Sequence, residues 1–150
     1  MSEGAVLFVC TGNTCRSAMA AALFTALAGE GWLVESAGLR AARGTPAANE
    51  AVAVLARMGV DLSRHRAKPL EDVPLDLYPL VLVMTREQRR DLLVRYPGLS
   101  GRVYLLAEMA GAETDLADPF GGSQDDYEQT AGAILVYLRE GMENIKKLAA

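Results

Sequence analysis

The sequence predicts a single three-layer α/β domain over residues 1–150, with a four-stranded parallel sheet flanked by helices. Three observations carry that expectation. Short apolar runs of β-forming residues recur along the chain, helical patterns separate them, and no linker, repeat or low-complexity tract interrupts the alternation. A chain of 150 residues that is 51% hydrophobic and 23% charged suits one domain with a sizeable core.

The elements follow in order. Val6-Leu7-Phe8-Val9 is a continuous apolar run, as a strand buried on both faces requires. Met19, Leu23 and Leu27 then recur at helical spacing among alanines, until Gly29 and Gly31 stop the helix. Trp32-Leu33-Val34 reads as a second strand ending at Ser36-Ala37-Gly38. Asn49 is placed to cap a helix carrying Val52, Leu55, Ala56 and Met58, which stops at Gly59. The stretch from Lys68 to Pro79 reads as a loop or short helix within the domain. Leu80 to Met84 is the clearest buried strand, after which Thr85 and Gln88 form a capping box that opens a helix through Leu92 and Leu93. Val103 to Leu106 gives a fourth strand. One long helix is expected from Ser123 to about Lys147, with Tyr127, Ala131, Ile134, Leu138, Met142 and Ile145 on its inner face.

A formal charge of −4 gives no reason to expect nucleic acid or membrane as a partner. The arginines at 86, 89, 90 and 95 read as a solvated helix face. No apolar run approaches the roughly 18–20 residues of a membrane span, and the start shows no signal-peptide pattern, so a cytoplasmic protein is expected; the sequence does not give the oligomeric state, for which a monomer is favoured. Two cysteines, Cys10 and Cys15, and one histidine, His65, make neither a disulfide framework nor a structural zinc site. Chemistry without a metal follows, and His65 is read as structural.

In parallel sheets ligands bind beyond the carboxyl ends of the strands, so the turn after the first strand is the place to look. There Cys10 closes a strand and Arg16-Ser17 opens a helix, with Thr11-Gly12-Asn13-Thr14-Cys15 between them. Cysteine and arginine six residues apart is weak evidence by itself; the strand–loop–helix placement gives it weight. A loop there aims successive backbone N–H groups and the positive end of a helix at a dianion. Thiols in such surroundings ionise to the thiolate that attacks phosphorus. Gly12 and Asn13 tolerate the positive φ of a tight loop, and the planar fork of Arg16 matches two phosphate oxygens. Ser17 either donates to the thiolate or caps the helix. Set against this, a buried unreactive cysteine beside an ordinary turn is a common arrangement.

Phosphoryl transfer also needs an acid for the leaving group and a base for water. Spacing does not choose among 19 acidic residues. Asp118, in the loop Asp118-Pro119-Phe120-Gly121-Gly122 before the last helix, stands out mildly, but the residues alone favour a plain Asp-Pro turn.

Taken together, Val9 to Ser17, Ser36-Ala37-Gly38 and Asp118-Pro119-Phe120 resemble the low-molecular-weight protein tyrosine phosphatase family over essentially the whole chain. The resemblance implies Cys10 as the nucleophile of a phosphocysteine intermediate and Asp118 as general acid and then base. It implies that Arg16 and the loop from Thr11 to Ser17 bind the phosphoryl group, with no cofactor and with phosphorylated proteins as substrates. Cys15 would be the family's second loop cysteine, either forming a reversible disulfide with Cys10 or simply supporting the loop.

Ala18 and Ala21 stand where members commonly have proline and an acid. Thr14 replaces the bulky aliphatic residue of tyrosine-specific members, and Phe120 replaces the tyrosine after Asp-Pro. Both departures resemble the bacterial branch that removes phosphate from arginine in proteins. A polar, cationic guanidinium suits a carboxylate at Asp118, and Thr14 offers a hydroxyl where isoleucine would only pack. The expected function is therefore a protein arginine phosphatase, with a tyrosine phosphatase as the alternative. An arsenate reductase would need cysteines after Cys15, and none exists; a phosphocysteine carrier would not need Asp118.

Overall fold

The chain is described over residues 3–150 by a computed structural model. β1 (Gly4–Cys10) and β3 (Leu80–Val83) are buried along their whole lengths because each has a strand on either side and helices over both faces. β2 (Trp32–Gly38) pairs with β1, and β4 (Val103–Leu105) pairs with β3. All pairings are parallel, in the order β2-β1-β3-β4, so the sequence expectation of a four-stranded parallel sheet holds. Direction of growth reverses between β1 and β3, the crevice where such sheets bind ligands. Cys10 lies at the carboxyl end of β1, beside that crevice.

Alternation along β1 divides its side chains between two cores. Val6, Phe8 and Cys10 face one; Ala5, Leu7 and Val9 face the other. The first core is covered by α1 (Arg16–Ala28), α2 (Asn49–Arg57) and α5 (Gln124–Glu140). Phe24 sits at its centre, 5.8 Å from Phe8 and 5.0 Å from Trp32 between ring centroids. The second core has α3 (Arg86–Arg95) above it, with Leu92 buried. Two 3₁₀ turns in the proline-rich stretch deliver Leu70, Val73 and Tyr78 to the same core, which is why that stretch belongs inside the domain. Among the described residues, no helix is long and apolar enough to cross a membrane.

Several sequence expectations are corrected. The long C-terminal helix breaks at Gly141 into α5 and α6 (Met142–Ala149). The break occurs where α4 (Leu106–Met109) comes close: a Cβ on Gly141 would lie 2.5 Å from the Met109 Cβ and 2.8 Å from its carbonyl carbon. Asn144 Nδ2 donates to the Met109 carbonyl at 2.9 Å, fixing the new direction. Asn49 is the first residue of α2 and not its cap; Ala48 holds that place, its N–H bound to the Thr14 carbonyl at 3.0 Å. Leu27 and Met58 turn outward, leaving Ala51, Val54 and Leu55 as the inner face of α2.

The arginines of α3 are more than a solvated face. Arg89 reaches Glu108 at 2.7 Å, and Arg95 donates to the Leu39 carbonyl at 2.6 Å. Thr85 caps α3 with the expected box.

Gly141→Ala is expected to destabilise the fold by about 1–3 kcal/mol, since one methyl must displace the backbone of α4. Urea unfolding of the variant against the parent protein measures it.

Candidate active site

The loop between β1 and α1 is shaped by where its carbonyls go. Those of Cys10 and Thr11 accept from the backbone N–H groups of Leu39 and Arg40, each at 2.9 Å. The Asn13 carbonyl accepts from His65 Nε2 at 2.6 Å, and the Thr14 carbonyl from Ala48. In a trans peptide the next N–H points opposite to the carbonyl, so these outward ties turn the loop's N–H groups inward. The Asn13 N–H reaches Cys10 Sγ at 3.3 Å. The result is a concave set of donors around the sulfur, continued by the start of α1.

Asn13 alone in this loop takes a positive φ, 58°; Gly12 does not use its freedom, against the sequence expectation. Asn13 has 0% exposure, and its amide is fully engaged. Oδ1 accepts from the Lys68 N–H at 3.0 Å, while Nδ2 donates to Ser17 Oγ at 2.8 Å and Ser36 Oγ at 2.9 Å. Because Ser17 Oγ accepts from Asn13, its own proton is free for Cys10 Sγ, 2.9 Å away. Ser17 therefore faces the sulfur and does not cap α1, which has no side-chain cap. Gly38 answers a steric need: a Cβ there would lie 2.7 Å from the Thr11 carbonyl oxygen. Ser36-Ala37-Gly38 thus serves the loop at both ends, a reason the sequence did not disclose.

Arg16 is 5% exposed, and its Nη1 donates to the Leu116 carbonyl at 2.8 Å. Its Nη2 lies 3.6 Å from Asp118 Oδ2, whose side chain is 52% exposed. Asp118 Oδ1 accepts from the Phe120 N–H at 3.1 Å, the hydrogen bond that shapes the Asp-Pro turn. The Leu116 N–H in turn binds the Met84 carbonyl at the end of β3, so the Asp118 loop and Arg16 share one anchor. Cys10, Thr14, Cys15, Arg16, Asp118 and Phe120 all face one cleft of about 220 Å³. Cys10 and Asp118, 108 positions apart in the chain, therefore line the same cleft. Phe120, 73% exposed, stands at the rim.

Cys15 lies 3.4 Å from the buried Tyr127 hydroxyl and 3.7 Å from Thr14 Oγ1. Burial pushes its thiol above the usual range, and the Tyr127 hydrogen bond partly offsets this. Burial likewise raises the Tyr127 phenol. Both cysteines are free thiols. Among the described residues no group of three His, Cys, Asp or Glu side chains could hold a metal ion.

His65, read from the sequence as structural, supports the loop itself, a placement that the sequence did not disclose. It is 52 positions from Asn13, and no local pattern announces the contact. A carbonyl accepts, so Nε2 carries the proton; burial holds the imidazole below its usual range, with the Asn13 carbonyl opposing.

Residues 5–149 match the family described as low molecular weight phosphotyrosine protein phosphatase. A protein-arginine-phosphatase of Bacillus subtilis is 37% identical over 146 residues, 95% of this chain and 97% of that protein. A probable low molecular weight protein-tyrosine-phosphatase, EpsP of Ralstonia solanacearum, is 43% identical over 115 residues, 77% of each chain. The solved structure of the YwlE arginine phosphatase from Geobacillus stearothermophilus superposes with a TM-score of 0.89 at 34% identity, covering 96% of this chain and 94% of that one.

The unfolded chain protonates His65 near pH 6.5, where the folded protein resists. Its contribution to stability is full above that value and is lost as the pH falls toward the lower folded-state value. His65→Gln, which keeps a donor for Asn13, is expected to lose less stability than the parent between about pH 7.5 and 5.5. Urea unfolding at the two pH values reads the difference.

Proposed function

Because the chain belongs to the low molecular weight phosphotyrosine protein phosphatase family, we propose that it is a cysteine-dependent protein phosphatase that hydrolyses phosphoarginine. The observation that carries the catalytic reading is the meeting of Cys10, Arg16 and Asp118 at one cleft, with Ser17 Oγ 2.9 Å from the sulfur. Cys10 Sγ attacks phosphorus, the S–P bond forms and the bond to the leaving group breaks as Asp118 delivers its proton. Water, giving its proton to Asp118, then attacks the phosphocysteine; the S–P bond breaks and the thiolate returns. Inward loop N–H groups and Arg16 stabilise the oxygens that gain charge in both steps. Ser17 supports the thiolate as leaving group through the same hydrogen bond that orients it in the free enzyme.

Support for arginine over tyrosine comes from the cleft wall. Thr14 presents a hydroxyl there, 3.7 Å from Cys15 Sγ, and Asp118 is open enough to hold a cationic leaving group. An aromatic ring gains more from an aliphatic wall than from a hydroxyl. The arginine phosphatase relatives align over nearly the full chain, which favours the same reading. Dephosphorylation of phosphotyrosine is the second reading, favoured by the EpsP likeness at 43% identity.

With matched peptides, kcat/KM is expected to favour phosphoarginine over phosphotyrosine, and Thr14→Ile to reverse that preference by roughly tenfold or more. A phosphotyrosine preference that Thr14→Ile leaves unchanged refutes the arginine reading. Asp118→Asn is expected to slow aryl phosphates with poor leaving groups by roughly 100-fold and good ones far less. Equal losses across a leaving-group series remove Asp118 from the acid role.

A further inference from the structure

Gln88 fixes the direction of two hydroxyl groups, one through its side-chain amide and one through its backbone N–H. Its Oε1 accepts from the backbone N–H groups of Met84, at 2.9 Å, and Thr85, at 3.1 Å. The amide orientation is settled by those two donors, so Nε2 must donate to Thr11 Oγ1, 3.1 Å away. The backbone N–H of Gln88 donates to Thr85 Oγ1, also at 3.1 Å. Each hydroxyl thus accepts from Gln88 and has its own proton left to give. Among the described residues neither donates to a protein acceptor.

Both threonines line a polar cleft of about 180 Å³ that shares Thr11 and Arg16 with the phosphoryl pocket. Arg40 lies at its edge, already neutralised by Asp91 at 2.9 Å, and Glu87 adds a further carboxylate. That balance disfavours a second anion. Two hydroxyl protons instead suit a neutral oxygen with two lone pairs.

We propose that this cleft is a subsite for the substrate polypeptide, in which Thr11 and Thr85 donate hydrogen bonds to a main-chain carbonyl beside the phosphorylated residue. A carbonyl is the one acceptor that every polypeptide supplies whatever its sequence. The shared wall puts the subsite within a residue or two of the phosphorylated side chain. This inference rests on the reading of the Cys10-to-Ser17 loop as the phosphoryl pocket of a protein phosphatase.

The experiment compares kcat/KM for a phosphopeptide with an internal phosphorylated residue against that for a small aryl phosphate. Thr11→Val is expected to lower the peptide-to-small-substrate ratio roughly fivefold, the value of one neutral hydrogen bond. Thr11→Ser, which keeps the hydroxyl, is expected to preserve it. Gln88→Glu keeps an acceptor for the Met84 and Thr85 N–H groups but offers Thr11 a carboxylate oxygen, turning its proton back. The ratio is expected to fall in Gln88→Glu, and to fall no further when that change is added to Thr11→Val.

An unchanged ratio in Thr11→Val, or equal losses on both substrates, overturns the subsite: the hydroxyl then acts on the phosphoryl group or merely props the loop. Should Thr11→Val fail to fold, an unchanged ratio in Gln88→Glu does the same. Failure of the unaltered protein to turn over either substrate is a separate result, which refutes the phosphatase reading and the subsite with it.

Discussion

Asn13 sits with φ at 58° and no exposed surface, its amide divided among Ser17, Ser36 and Lys68. Left-handed backbone is unfavourable for most residues with a Cβ and is tolerated best by Asn among them, and a buried amide without partners costs roughly 1–3 kcal/mol. Each problem is resolved by the other. The amide bonds hold the backbone in place, and the backbone turn puts the amide where its partners are. With that turn set, the Asn13 N–H reaches Cys10 Sγ, and Ser17 is oriented to do the same. The chemistry proposed for the sulfur depends on this one residue holding its conformation.

Hydroxyl direction is a recurring device in the site. Asn13 makes Ser17 a donor toward sulfur, and Gln88 makes Thr11 and Thr85 donors toward a cleft. For Ser17 and Thr11 a buried side-chain amide, its own oxygen held by backbone N–H, removes the hydroxyl's choice; for Thr85 the Gln88 backbone N–H does so. Preorganisation of this kind lowers the reorganisation needed when charge develops. For the phosphoryl pocket proposed in this chain of net charge −4, the positive potential would come from oriented N–H groups and one buried Arg16, not from surface charge.

The strands and most helices were legible in the sequence because their signals are local. Val6 to Val9 could hardly be anything but a buried strand, and the Thr85–Gln88 box stands as read. What was misread depends on distant neighbours. Gly141 breaks a helix whose own pattern runs on, because the Met109 backbone crosses there. Ala48 takes the cap position because Thr14 binds its N–H. Cys10, Arg16 and Asp118 were singled out from residue type, order and resemblance, and they line one cleft. His65, Lys68 and Leu116, which lie 52, 55 and 100 residues from the loop groups they hold, left no trace in the local pattern.

Those long separations bear on how the protein comes into being. The loop is made early in synthesis, yet its supports at Ser36, His65, Lys68, Gln88 and Leu116 follow one by one down the chain. Bringing such distant segments together carries a loop-closure cost that local contacts avoid. While the chain is still emerging from the ribosome, Cys10 lies on a partly formed sheet without these supports. The nucleophile proposed at Cys10 would then be assembled only once nearly all of the domain has emerged and folded, which would keep incomplete copies chemically silent.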